Sequence, residues 1–213
     1  MERDYFIEIK DLNLKIKKDV ILSDINRNFE RGKIHGLIGR NGSGKTMLMK
    51  CICGFVRPTS GTIRFDGKLI GKEVDFPPNT GIIIETPGFI PYYSGYRNLK
   101  ILADLNRKVG KEEILKTLEL VGLKAAQKKQ VRAYSLGMRQ RLGLAQAIME
   151  NPDTLILDEP MNGLDNEGVK EVRELLLNLK EQGKTILLVS HNREDIAVLC
   201  DTICELEHGE ILH

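Results

Sequence analysis

The amino-acid sequence predicts an α/β protein, with a core built on a mostly parallel sheet, an N-terminal antiparallel β subdomain and an inserted α-helical subdomain. Three observations carry this prediction. Short apolar runs alternate with helical patterns through most of the chain, as expected where helices cover a parallel sheet. One run, Lys33 to Ile38, feeds a glycine-rich loop from which a helix departs. Another, Thr154-Leu155-Ile156-Leu157, ends on Asp158 and Glu159, and packing alone does not explain a buried strand closed by two carboxylates.

Taken in order, Tyr5 to Leu14 alternates and reads as a strand, and Val20-Ile21-Leu22 is a second short apolar piece, followed by Ile25 and Phe29. Arg31-Gly32-Lys33 turns into the strand that ends at Ile38, and Met47 to Cys53 continues beyond the loop as a helix. Thr62 to Phe65 and Lys68 to Ile70 form a hairpin about Asp66-Gly67, a pair suited to tight turns. Pro77-Pro78-Asn79 breaks the chain before Gly81-Ile82-Ile83-Ile84, whose continuous apolar character suits a buried strand.

From residue 88 to 145 the chain becomes polar and helix-rich. A helical pattern begins with Tyr92, Tyr93 and Tyr96 and runs on through Leu99, Leu102 and Leu105. Ile114, Leu115, Leu118 and Val121 mark a second, which Gly122 closes. Gly137 to Met149 is a third helix, stopped by Asn151-Pro152. Asn166 to Leu179 is amphipathic, with Asn166 as its cap and Gly183 at its end. Thr185 to Val189 is a buried strand that delivers Ser190 and His191, and Asp195 to Leu199 is a short helix. Ile203 to Leu206 and Glu210 to Leu212 close the chain as a hairpin at His208-Gly209. Residues 1–213 are thus one domain, with its core in 1–87 and 146–213 and its helical subdomain in 88–145.

The composition is that of an ordinary globular protein, with 29% charged and 41% hydrophobic residues. A net charge of +2 offers no bulk attraction for nucleic acid, and none is expected as a partner. No run of about 18 apolar residues is present, and Met1-Glu2-Arg3-Asp4 lacks the apolar core of a signal peptide, so a cytoplasmic location is expected. No CxxC pair or nearby histidine completes a metal site with the four cysteines, which are expected to be reduced, mostly buried thiols. His35, His208 and His213 suggest no role, and Lys124, Lys128, Lys129, Arg132, Arg139 and Arg141 read as a solvated basic face.

The chemistry is concentrated in Gly39-Arg40-Asn41-Gly42-Ser43-Gly44-Lys45-Thr46, which fits the phosphate-loop pattern at every fixed position. A loop that wraps a triphosphate needs glycines, because side chains would hold its N–H groups away from the phosphate oxygens. The helix that follows aims its positive dipole end at the same anion. Lys45 is expected to reach the β- and γ-phosphates of a bound triphosphate, and the Thr46 hydroxyl to bind Mg²⁺. In open α/β sheets ligands gather where strands end at their carboxyl side, and there Asp158, Glu159 and His191 would emerge.

As a set, these residues resemble the ATP-binding subunit of an ATP-binding cassette (ABC) transporter, over nearly the whole chain. Gly39 to Thr46 matches the Walker A loop of P-loop NTPases, and Tyr134-Ser135-Leu136-Gly137-Met138 is similar to the signature motif. Leu155 to Pro160 matches Walker B with its glutamate, Asn162-Gly163-Leu164-Asp165 the D-loop, and His191 the switch histidine. The resemblance implies a homodimer or heterodimer of cassettes, paired head to tail around two ATP molecules. Ser135 and Gly137 of one subunit would then face the γ-phosphate held by the other, and Asp165 would act across the interface. It implies that Asp158 holds Mg²⁺, that Glu159 is the general base or positions the water, and that His191 bonds the γ-phosphate and that water. It also implies separate transmembrane permease subunits, with the ATPase peripheral on the cytoplasmic face of the membrane.

Three departures mark this chain. Glu85 stands where the family has a glutamine that touches Mg²⁺ and water. A glutamate can still ligate Mg²⁺, yet it adds negative charge near a triphosphate. This pattern resembles exporters for antimicrobial peptides of the bacitracin and lantibiotic type. Leu136 and Met138 replace the usual Gly and Gln of the signature. Ile16 falls near the expected adenine-stacking aromatic, so the base would pack on an aliphatic surface. A competing reading is a nucleotide-gated clamp of the same family with weak hydrolysis, to which Glu85, Leu136 and Met138 give room.

Overall fold

The computed structural model describes residues 5–86 and 88–212. Met1-Glu2-Arg3-Asp4, Pro87 and His213 lie outside the described residues, and so do the expectations that fall on them. Two sheets organise the chain. The first is antiparallel, in the order β2-β1-β4-β5, from β1 (Ile7–Ile16), β2 (Asp19–Phe29), β4 (Ser60–Phe65) and β5 (Lys68–Leu69). The second has the order β10-β9-β3-β8-β7-β6, from β3 (Ile34–Ile38), β6 (Thr80–Ile83), β7 (Thr154–Asp158), β8 (Thr185–Val189), β9 (Thr202–Glu207) and β10 (Glu210–Leu212). It is parallel from β9 to β6, and only the terminal β9–β10 hairpin is antiparallel.

The parallel strands read as continuous apolar runs because both of their faces are covered. Side chains alternate across the sheet, so Leu155 and Leu157 of β7 pack with the helical side while Ile156 packs with the antiparallel side. The helical side is a single buried cluster. It joins Leu99 and Ala103 of α2 (Gly95–Asn106), Ile114 and Leu118 of α3 (Lys111–Leu120) and Leu142 of α4 (Leu136–Ile148) to Leu176 of α5 (Asn166–Glu181). On the other side α1 (Lys45–Ile52) buries Leu48, Met49 and Ile52 between β2 and the parallel sheet. A three-layer arrangement results, with the carboxyl ends of β3, β7 and β8 converging on one edge.

Several local expectations are corrected. The short apolar piece at Val20 to Leu22 is part of an 11-residue strand, which runs on to Phe29 by pairing with β1 at Ile7↔Phe29. Only Leu22, Ile25 and Phe29 are buried there, so partner geometry rather than apolar content extends the strand. Tyr92 and Tyr93 precede α2, which is capped by the Ser94 side chain accepting from the N–H of Arg97. Asp165, not Asn166, caps α5, its carboxylate accepting from the N–H of Gly168 at 2.9 Å.

The thiols are inert. Burial pushes Cys51, Cys53 and Cys200 up to about 12 and Cys204 to about 11, and all four are free. His35 is also structural. Nε2 must donate to the Glu30 carbonyl at 2.8 Å, so Nδ1 accepts from the Thr202 hydroxyl at 2.7 Å. Burial, the largest influence, lowers the pKa of this imidazole. Lys124, Lys128, Lys129, Arg132 and Arg139 are exposed, as a solvated basic face requires, and Arg141 is the exception. The Arg141 side chain is only 16% exposed, bonded to the Val121 carbonyl and paired with Glu171 at 2.6 Å.

Candidate active site

The glycine-rich loop joins the carboxyl end of β3 to α1, and three neighbours fix its path. Gly209, in the β9–β10 turn, donates its N–H to the Ser43 carbonyl at 3.0 Å, and its own carbonyl accepts from Ser23 at 2.8 Å. Gly39 runs at φ +142, and a Cβ there would lie 2.1 Å from the Leu206 carbonyl oxygen. Gly44 runs at φ +106, packed against Leu22 and the Ile21 carbonyl. Positive φ at Gly39, Gly42 and Gly44 lets the loop curl tightly, the backbone shape from which N–H groups can be presented to an anion.

Lys45 is buried under the loop, and its ammonium donates to the carbonyls of Gly39 at 2.7 Å and Arg40 at 2.9 Å. Burial lowers its pKa, and the charges of Glu159 and Asp158 oppose that shift. The Thr46 hydroxyl donates to Asp158 Oδ2 at 2.8 Å, so hard oxygen ligands from α1 and β7 stand side by side.

Glu159 follows in a left-handed conformation, φ +51, that a β-carbon disfavours. Bonds on both sides hold it there. Its N–H donates to the Val189 carbonyl at 3.0 Å, while its carbonyl accepts from Gln140 Nε2 at 3.0 Å and from the Asn162 N–H at 3.1 Å. Its carboxylate Oε1 is buried without a hydrogen-bond partner and lies 3.3 Å from His191 Nε2. Burial raises the pKa of this carboxyl, and His191 pulls it back. A buried acceptor left open beside a histidine is poised to take a hydrogen bond from a molecule entering the cleft.

The cleft has a volume of about 550 Å³, and its lining brings most of the expected residues together: Asn41, Gly42, Gly44, Lys45, Thr46, Glu85, Asp158, Glu159 and His191. Arg40 is exposed on the loop, and Ser43 is buried with an unpartnered hydroxyl. Ile16, 43% exposed at the end of β1, does not line the cleft, whose aliphatic side chains are Ile21, Leu136 and Val189. Ser135 and Gly137 do not line the cleft either. They open α4, where the Ser135 hydroxyl caps by accepting from Met138 at 3.2 Å. Asp165 is engaged in its own helix cap.

Glu85 is on the cleft in a left-handed turn, φ +60, and Lys50 of α1 meets its carboxylate at 2.6 Å. The added negative charge anticipated from the sequence is therefore compensated locally. Lys50 had no sequence signal beyond its place on the helix that starts at Lys45. Gln140 was equally silent, since its contact spans 19 residues to a backbone oxygen. Leu136, 61% exposed, reaches across to the D-loop, where a Cβ on Gly163 would lie 2.5 Å from it.

Comparison with known proteins agrees with this geometry. A family model described as ABC transporter matches residues 22–162. The chain is 44% identical over 205 residues to an uncharacterized ABC transporter ATP-binding protein, YybJ, of Bacillus subtilis, spanning 96% of this chain and 94% of that one. It is 42% identical to the bacitracin transport ATP-binding protein BcrA of Enterococcus faecalis, covering 100% of this chain and 70% of BcrA. It is 39% identical to the lantibiotic transport ATP-binding protein SrtF of Streptococcus pyogenes, covering 97% and 89% respectively. Among solved structures, cbiO1 of Clostridium perfringens, part of the ABC transporter complex cbiONQ, superposes with a TM-score of 0.84 at 28% identity, over 99% of this chain and 88% of that one. The cassette MJ0796 in a dimeric post-hydrolysis state with ADP and Pi shares the fold, with a TM-score of 0.87 at 22% identity and 97% of each chain covered. A phosphate loop, a paired Thr46 and Asp158, and a buried glutamate beside a histidine are thus carried by a chain that belongs to the ABC transporter family, as one of its ATP-binding subunits and ATPases.

Proposed function

We propose that this ATPase powers movement of a substrate across a membrane through separate transmembrane partner subunits, with ATP closing a cassette dimer and hydrolysis reopening it. No helix among the described residues is long and apolar enough to cross a membrane, so the pathway for cargo would belong to those partners. The ATPase would sit at the periphery of the membrane, on its cytoplasmic face. The relatives named for bacitracin and lantibiotic transport support an exporter of antimicrobial peptides. The observation that carries the reading is Glu159, with an open buried carboxylate oxygen 3.3 Å from His191 in the cleft that also holds Lys45 and Thr46.

The roles follow from the chemistry. Backbone N–H groups of the loop and Lys45 bind the phosphates of ATP. Glu159 accepts the proton of the attacking water, and its burial keeps it a stronger base than a solvated glutamate. His191 holds that water and the γ-phosphate in line. Thr46, Asp158 and Glu85 offer oxygen ligands to Mg²⁺, whose contribution when bound is to neutralise charge on the phosphate oxygens. Ser135 and Gly137 would serve the nucleotide of the second subunit, with the start of α4 supplying N–H groups and a positive dipole end. The helical subdomain of residues 88–145 would move with the membrane partner.

A shared site has a direct test. Lys45→Ala removes the phosphate-binding ammonium. Ser135→Asp keeps a good helix cap yet sets a carboxylate against the partner's phosphate. Each variant alone is expected to be nearly inactive. Mixed, they form heterodimers with one intact composite site, and activity should rise well above that of either variant. A mixture no more active than its components would overturn the head-to-tail dimer.

Glu85→Gln probes the altered loop. It is expected to shift the Mg²⁺ dependence of hydrolysis several-fold while ATP affinity stays nearly constant. Folding stability should change by less than about 1 kcal/mol, because the Lys50 pair is partly exposed. An unchanged Mg²⁺ titration would remove Glu85 from the metal site.

A further inference from the structure

His191 is aimed by something other than its own contacts. Its side chain is half exposed, so packing constrains the imidazole only weakly. The residues on either side of it are held firmly. Ser190, buried at the end of β8, donates its hydroxyl to Asp195 Oδ2 at 2.7 Å and accepts the N–H of Asn192 at 3.1 Å. The Asn192 side chain then caps α6 (Arg193–Leu199), accepting from the Glu194 N–H at 2.8 Å. The other carboxylate oxygen of Asp195, Oδ1, receives Nε and Nη2 of Arg173 from α5, at 2.8 and 2.6 Å. The Arg173 and Asp195 side chains are 13% and 4% exposed.

Burying an ion pair of this kind carries a desolvation cost, and an apolar pair of similar volume would hold α6 against α5 as well. What the polar chain adds is direction. Each carboxylate oxygen has a separate task, one receiving the arginine and the other the Ser190 hydroxyl, so the two-residue turn around His191 has one low-energy orientation. We propose that Arg173, Asp195 and Ser190 form a buried brace that positions the His191 turn for hydrolysis, Arg173 and Asp195 acting through Ser190 and none of the three touching nucleotide. Arg173 lies two turns along the helix that Asp165 caps, so the brace also ties the His191 turn to the D-loop through α5. It couples the two loops that a second cassette would touch.

The inference rests on the catalytic role proposed for His191, and the experiment separates the two. Ser190→Ala removes one hydroxyl and leaves the Arg173–Asp195 pair intact. It is expected to lower kcat by about tenfold to a hundredfold, as a small misplacement of a catalytic group does, with KM for ATP within about twofold of wild type. In the same protein the His191 Cε1–Hε1 NMR cross-peak, assigned by its loss in His191→Ala, should move while that of buried His35 stays in place. Arg173→Met should reproduce both effects. A Ser190→Ala kcat within about twofold of wild type, or a lowered kcat with the His191 cross-peak unmoved, overturns the brace. If His191→Ala itself hydrolyses ATP at the wild-type rate, the role of His191 fails and the brace fails with it. If His191→Ala is slow but Ser190→Ala is not, the brace alone is overturned.

Discussion

Glu159→Gln is expected to bind ATP within a few-fold of wild type while its turnover falls by about 10²–10⁴-fold, the usual contribution of a positioned general base. The amide keeps the size of the carboxylate and the backbone bonds to Val189, Asn162 and Gln140, so the strained turn should survive. What it loses is the oxygen that can take a proton. ATP should therefore accumulate in a closed dimer, visible as a doubling of mass by light scattering. Because burial raises the Glu159 pKa, the acid limb of the wild-type kcat profile should fall at a higher pH than an ordinary glutamate would impose. That limb should disappear from the residual activity of the variant. Hydrolysis by Glu159→Gln at the wild-type rate would refute Glu159 as the base.

The second large effect is structural and distinguishes two glycines of one motif. Gly39→Ala would push its Cβ to 2.1 Å from the Leu206 carbonyl oxygen and 2.7 Å from the Ser43 hydroxyl, at φ +142. Backbone cannot yield as a side-chain tip can, so overpacking should cost about 1–3 kcal/mol, with backbone strain adding to it. For a chain of this size each kcal/mol lowers Tm by about 2–4 °C. The displaced loop should also bind ATP more than about tenfold more weakly, since its N–H groups must converge on the phosphates. Gly42→Ala is the comparison, because a Cβ there meets nothing within 4 Å and only the strain at φ +80 remains. Its Tm should fall by much less. Equal Tm losses for the two variants would show that the Leu206 contact does not hold the loop.

The phosphate loop, the carboxylate-ended strand β7 and the strand β8 that delivers His191 were legible because each is a local pattern with a chemical reason. Glycines, a lysine and a hydroxyl at fixed spacing have few other uses, and carboxylates on an apolar strand resist a packing explanation. Helix boundaries were less legible. The α5 cap fell to Asp165 rather than Asn166, although both residue types cap well, because local geometry chooses which carboxylate or amide reaches back to the N–H groups. The length of β2 was hidden too, since its pairing with β1 comes from tertiary context.

The sequence by itself determined the family, the parallel sheet and most of the residues that line the cleft, for these depend on side-chain identity over a few consecutive positions. Only the tertiary structure decided how those residues are held. Lys50 neutralising Glu85, Gln140 gripping the Glu159 carbonyl, Leu206 and Gly209 backing the loop, and Arg173 reaching Asp195 all join residues distant in the chain. Many of these contacts end on backbone atoms, which every residue type carries, so no residue pattern announces them.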